Sequence, residues 1–101
     1  MHLLRWIINV DSATTPGRSL HKIEKSELCP SPMAEYYNDV AGEVYPIDRV
    51  IIFPEGYIEV RLRADTSSEN EAGLSSRIQR YLERGWIYAD EYGEWKNSYG
   101  L

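Results

Sequence analysis

Hydrophobic positions along the chain follow two periods, and the switches between them mark the elements. In LLRWIINV, residues 3–10, Leu4, Trp6, Ile8 and Val10 alternate with Leu3, Arg5, Ile7 and Asn9. That period of two, rich in β-branched and aromatic side chains, predicts a well-buried strand. DSATTPGRS comes next, and Pro16-Gly17 breaks any regular element, so 11–19 is expected to be a loop. Residues 20–28 are ambiguous: Leu20, Ile23 and Leu28 fit a helix poorly and a strand worse. CPSPMAEYYNDVAG reads as helix, with Ser31 suited to the cap, Pro32 to the first helical position and Gly42 to the residue past the end. Met33, Tyr36, Tyr37 and Val40 line one face at helical spacing, which predicts a short helix over 32–41.

The cleanest pattern lies beyond it. RVIIF-PEG-YIEVRLR is two apolar runs joined by Pro54-Glu55-Gly56, the chemistry of a three-residue turn closed by a glycine bulge. It predicts a β-hairpin over 49–63, with Ile58, Val60 and Leu62 in the core and Tyr57, Glu59, Arg61 and Arg63 facing water. A helix is expected from about 70 to 84, striped by Leu74, Ile78, Tyr81 and Leu82 and ended by Gly85. Ser68 with Glu71, and Ser76 with Gln79, both have capping-box spacing, which leaves its start open. In the tail, Trp86 to Ala89 has strand composition and DEYG has turn chemistry, so Glu94–Lys96 is expected to return as the second strand of a hairpin. Together these elements predict an α+β fold in a single domain, 1–101. Strand 3–10, the hairpin and the tail make a small, mainly antiparallel sheet of about 4–5 strands, with two short helices packed on one face.

Charge narrows the partners. Asp and Glu number 16 against 11 Lys and Arg, for a formal net charge of −5. An acidic field opposes direct nucleic-acid binding and favours a basic or neutral protein partner. Cys29 is alone, which removes an intramolecular disulfide and argues against a cysteine metal site. MHLLRWIINVDS lacks the apolar core of a signal peptide, because Arg5 and Asn9 interrupt it. No stretch approaches the ~20 apolar residues of a membrane span, so the expectation is a cytoplasmic protein without membrane association, cofactor or metal.

Candidate chemistry is sparse. Cys29 has only His2 and His21 as bases, with no motif to activate the thiol. Glu59 with Glu91 or Glu94 would supply the paired carboxylates of glycoside hydrolysis, although a chain this short offers little room for a deep cleft. The counter-signal to net acidity is a basic face: Arg61 and Arg63 on a strand, Arg77, Arg80 and Arg84 on a helix, with Tyr57 to stack a base. If the two sets adjoin, they form a phosphate or nucleotide site, with Glu59 as acid or base. If each arginine pairs with Glu59, Glu71 or Glu83, they are an ordinary ion-paired surface.

Tyrosine usage points elsewhere. The chain has eight Tyr and three Trp against one Phe. A core built for packing alone favours Phe and Leu, since each buried Tyr hydroxyl needs a partner, whereas Tyr and Trp are enriched at interfaces. Tyr88, Tyr92, Trp95 and Tyr99 lie beside Asp90, Glu91 and Glu94, and this acidic, aromatic tail is the candidate partner-binding surface. In size, acidity and lack of enzymatic motif the chain resembles the small inhibitors carried by phages and mobile elements, including anti-CRISPR proteins and nuclease inhibitors. The resemblance is one of class over the whole chain and assigns no residue a role. It implies a non-enzymatic protein that occupies a basic, nucleic-acid-binding surface on its partner. The alternatives are a small enzyme or nucleotide-binding domain on the Arg61/Arg63 face, and a structural subunit that forms homo-oligomers, a homodimer being the simplest.

Overall fold

Strand β1 (His2–Ser12) lies inside the sheet, and its two faces are covered by different parts of the chain. The structure is a computed structural model describing residues 1–67 and 69–101. After β1 come β2 (Arg18–Ser26), β3 (Glu35–Asn38), β4 (Glu43–Phe53), β5 (Tyr57–Leu62), β6 (Asp65–Ser67), helix α1 (Glu71–Glu83) and β7 (Ile87–Tyr88), then a 3-10 helix at Glu94–Tyr99. The strands form one seven-stranded sheet in the order β3-β4-β5-β1-β2-β7, with β6 continuing past β5 alongside β1. β1 pairs antiparallel with β2 but parallel with β5 and β6, and the β2–β7, β3–β4 and β4–β5 pairings are antiparallel.

Alternation along β1 divides the two faces. Leu4, Ile8 and Val10 join Leu20, Tyr45, Ile47, Ile58, Val60 and Leu62 beneath Leu74, Ile78 and Tyr81 of α1, and Trp86 closes this core. The helix keeps to its expected span. Asn70, not a serine, caps it, its side chain accepting from the Gly73 N–H at 3.0 Å. Of the two capping-box serines, Ser76 falls inside the helix and Ser68 lies outside the described residues. The 49–63 hairpin also forms as expected, with the Gly56 N–H bonded to the Phe53 carbonyl and Gly56 at φ 113°.

Several expectations fail for identifiable reasons, beginning with the sheet itself, which has seven strands rather than 4–5. Residues 32–41 are not a helix. Glu35–Asn38 is a strand, in which Tyr36 turns to the core and Tyr37 to solvent, while Met33 is 91% exposed. Asn38 decides the local structure: its Oδ1 accepts from the Val40 and Ala41 N–H groups, and its amide donates to the buried Tyr81 hydroxyl at 2.7 Å. The αL glycine expected past a helix, Gly42, sits instead in the β3–β4 turn at φ 73°. Residues 18–26 are a strand whose alternation was hidden, because Leu20 and His21 are both fully buried, one on each face. The loop at 11–19 contracts to 13–17 accordingly.

The tail is not a hairpin either. β7 pairs with β2 (Leu20 opposite Tyr88, His21 opposite Ile87), and 94–96 belongs to the 3-10 helix. Lastly, there is one α-helix rather than two, and the two helical elements lie on opposite faces of the sheet. Trp95 of the 3-10 helix packs on Tyr57, Arg5 and His21, the face away from α1. That cover explains why Tyr57 and Glu59 are buried where the hairpin pattern placed them in water. Among the described residues, no helix is long and apolar enough to cross a membrane.

Candidate functional site

The tail is built outward from the two buried tryptophans. Trp86 ends the α1 core, and its N–H bonds back to the Tyr81 carbonyl. β7 then lies along β2, and the Ala89 N–H donates to the Ser19 carbonyl at 2.9 Å. Asp90 organises the turn into the 3-10 helix, accepting from the Tyr92 N–H at 2.8 Å and the Trp95 N–H at 2.7 Å. Partial desolvation works to raise its pKa, but the N–H groups of Glu94, Trp95, Tyr92 and Gly93 outweigh it and hold the carboxyl below its ordinary value. Gly93 at φ 73° lets the chain enter the 3-10 helix, which drops Trp95 edge-on to Tyr57 with ring centroids 5.0 Å apart. Lys96 pins the other end, 2.7 Å from Glu55 in the β4–β5 turn, a hydrogen bond that raises the lysine pKa.

Beneath Trp95 lies a charged network that the hydrophobic pattern did not disclose. Glu59, 4% exposed, accepts from Arg61 Nε at 2.9 Å and Arg5 Nη1 at 3.3 Å. Arg5 Nε donates to His21 Nδ1 at 2.9 Å, and the same guanidinium sits 5.0 Å from the Trp95 ring centroid. Accepting at Nδ1 makes His21 the neutral tautomer with its proton on Nε2. Burial, then the Arg5 charge, lower its pKa from 6.5 to about 4, against a smaller opposing pull from Asp90. Desolvation also lowers the Arg5 pKa, despite Glu59. The one advance sign of the network was an arginine in the middle of an otherwise apolar strand.

Of the expected tail surface, the structure therefore separates support from display. Trp95 and Asp90 hold the tail in place. Tyr92 (87% exposed), Tyr88, Tyr99, Glu91 and Glu94 face solvent, together with Ile87, which was not among the expected surface residues. Neither Glu91 nor Glu94 has an ion-pair partner among the described residues.

The expected basic face does not assemble. Arg61 points to the tail side of the sheet, whereas the α1 arginines lie on the other side. Arg77 is buried, bonding Glu69 at 2.9 Å and the Asp11 carbonyl, with its Nε 3.6 Å from Asp65. Arg84 pairs with Asp39, and Arg63 pairs with Glu43 and lies over the Tyr45 ring. Arg80 is exposed, and Tyr57 stacks on Phe53 under Trp95, where it is not presented to a base. What gathers with Arg61 is a different set. A polar groove of about 460 Å³ runs over the sheet half that Trp95 leaves open, lined by Arg5, Arg18, Arg61, Asn9 and Ser19 and also by Asp90 and Glu91.

The acid–base candidates fare differently. Each Glu59 oxygen accepts from an arginine, so this buried carboxylate is an ion-paired group rather than a free acid or base. Cys29 lines an apolar groove with Leu4 and Trp6, on the α1 side of the sheet, while His21 faces the tail side. The sheet separates that pair. A second buried cluster has no counterpart among the candidates drawn from sequence: the Tyr81 hydroxyl donates to Asp65 at 2.5 Å and accepts from Asn38. Burial, reinforced by the hydrogen bond to Asp65, raises the Tyr81 pKa and keeps the phenol neutral. Comparison with models of protein families, with curated proteins and with solved structures finds no match to this chain.

Proposed function

We propose that this chain is a non-enzymatic protein-binding protein of the inhibitor type, whose tail, residues 87–99, occupies a basic, nucleic-acid-binding surface on its partner. One observation carries the reading: Ile87, Tyr88, Tyr92 and Tyr99 are large apolar side chains left exposed around the unpaired acids Glu91 and Glu94. Aromatic anchors supply contact area with few rotors to freeze, and flanking acids steer a basic target. Trp95, Asp90 and the Lys96–Glu55 pair fix the segment before binding, which lowers the ordering cost of association.

The test is retention of partner from source-cell lysate by wild type and by a Tyr92→Ala/Glu91→Lys/Glu94→Lys variant, washed at rising salt. The variant spares Asp90 and Trp95, so an unchanged melting temperature is expected. One basic protein, retained by wild type and lost from the variant or at high salt, supports the proposal. Equal retention by both forms contradicts it.

The groove over Arg61 favours a second reading, a site for a small anionic ligand such as a nucleotide. It is lined by Arg18, Arg61 and Arg5, of which the last two also bond Glu59, and by Asp90 and Glu91. Titration with nucleoside phosphates, read by calorimetry on wild type and Arg61→Ala, separates the two readings.

A further inference from the structure

We propose that the outer edge of β4 pairs with the β4 edge of a second copy of this chain, making a closed two-fold dimer with one continuous sheet. β3 covers only the start of β4, pairing over Glu43–Pro46. From Asp48 to Phe53, β4 has β5 on one side and, among the described residues, no strand on the other. The residues there are Val50, Ile51, Ile52 and Phe53, with Ile52 74% exposed. A sheet edge presents free N–H and C=O groups, and natural edges are blunted by lysine, proline, a bulge or shortness. The irregularity in β4 falls earlier, between Ile47 and Arg49, and Val50–Phe53 carries neither charge nor proline.

The opposite edge of the same sheet is a built-in control. β7 covers β2 only at Leu20 and His21, and the uncovered stretch carries Lys22, Glu24 and Lys25. One edge is therefore open to pairing and the other is blunted. A contact that uses the open edge on both copies closes after two chains, whereas pairing with an unlike edge would leave that apolar strand unmatched.

Charge favours a second copy as the occupant. Antiparallel pairing centred on Ile51 sets Val50 opposite Ile52 and Arg49 opposite Phe53. Arg49 has no acidic partner among the described residues, and it would come alongside the turn that carries the half-exposed Glu55, which would then sit between Lys96 of its own chain and Arg49 of the other. The two-fold axis makes that contact twice. β7 lies at the far end of the strand order, whereas the 3-10 helix of the tail sits on Tyr57 of β5 and reaches the β4–β5 turn through Lys96 and Glu55.

Sedimentation equilibrium over a dilution series tests this. Wild type is expected at twice its 11.7 kDa mass with a Kd tighter than about 100 μM. Ile52→Lys is expected to sediment as monomer with an unchanged far-UV spectrum and melting temperature, because that side chain lies outside the core. Arg49→Glu is expected to weaken the dimer, and amide exchange at 49–53 to slow as wild-type concentration rises. A wild type that stays monomeric throughout overturns the proposal, as does an Ile52→Lys dimer of undiminished affinity or growth beyond two chains.

Discussion

Lowering the pH from neutral should loosen the tail through one group, His21. The imidazole is fully buried, accepts from Arg5 Nε at 2.9 Å and lies edge-on to Trp95 with ring centroids 6.1 Å apart. The charged groups nearest it are Arg5 on β1 and Asp90 in the tail, and only the second favours protonation. In the folded chain it titrates at about 4, against 6.5 when free. The unfolded chain thus takes up the proton first as pH falls. Stability from this group is fully present above about pH 6.5, declines below it and is gone under about pH 4. A depression of this size corresponds to about 3 kcal/mol, a large share of the net stability of a small domain. The assay is urea denaturation across that range, beside a His21→Gln variant that keeps an acceptor for Arg5 but cannot titrate. Wild type should lose about 3 kcal/mol more than the variant. An NMR titration reads the His21 ring directly. A His21 midpoint near 6.5, or parallel stability curves for the two proteins, would refute the reasoning.

Other perturbations probe the two cores separately. Trp95→Ala should cost about 3–5 kcal/mol and speed amide exchange over 92–99 while leaving α1 protected, as monitored by native-state exchange. Tyr81→Phe leaves Asn38 and Asp65 short of a buried partner and should cost about 1–3 kcal/mol in urea melts. Ile58→Ala opens a void under α1 and should cost about 2–5 kcal/mol, a near-zero change being incompatible with the β4–β5 register.

The α1 stripe was legible because it has one wet face and a local cap, and the 49–63 hairpin because of its Pro-Glu-Gly turn, although Trp95 buries Tyr57 and Glu59 on the face expected to be wet. β2 was not, since Leu20 and His21 are buried on opposite faces and burial on both sides erases alternation. The 32–41 segment misled because proline and glycine signal strand turns as well as helix ends. The deciding contact, Asn38 to Tyr81, spans 43 residues of chain. In the tail, local chemistry suggested a return strand. Trp95 instead found the far face of the sheet, whose Arg5–Glu59–His21 network comes from three strands and has no local signature. The acidic aromatic surface was visible in composition, but not which members support it: Asp90 and Trp95 face inward by hydrogen bonding and burial.

If the tail is the contact surface, the most direct measurement is a hydroxyl-radical footprint of the chain with its captured partner. Protection concentrated on Tyr88, Tyr92 and Tyr99, with Tyr37 and Met33 labelled as in the free protein, is the predicted result. Protection at those latter residues, with the tail still labelled, would contradict it.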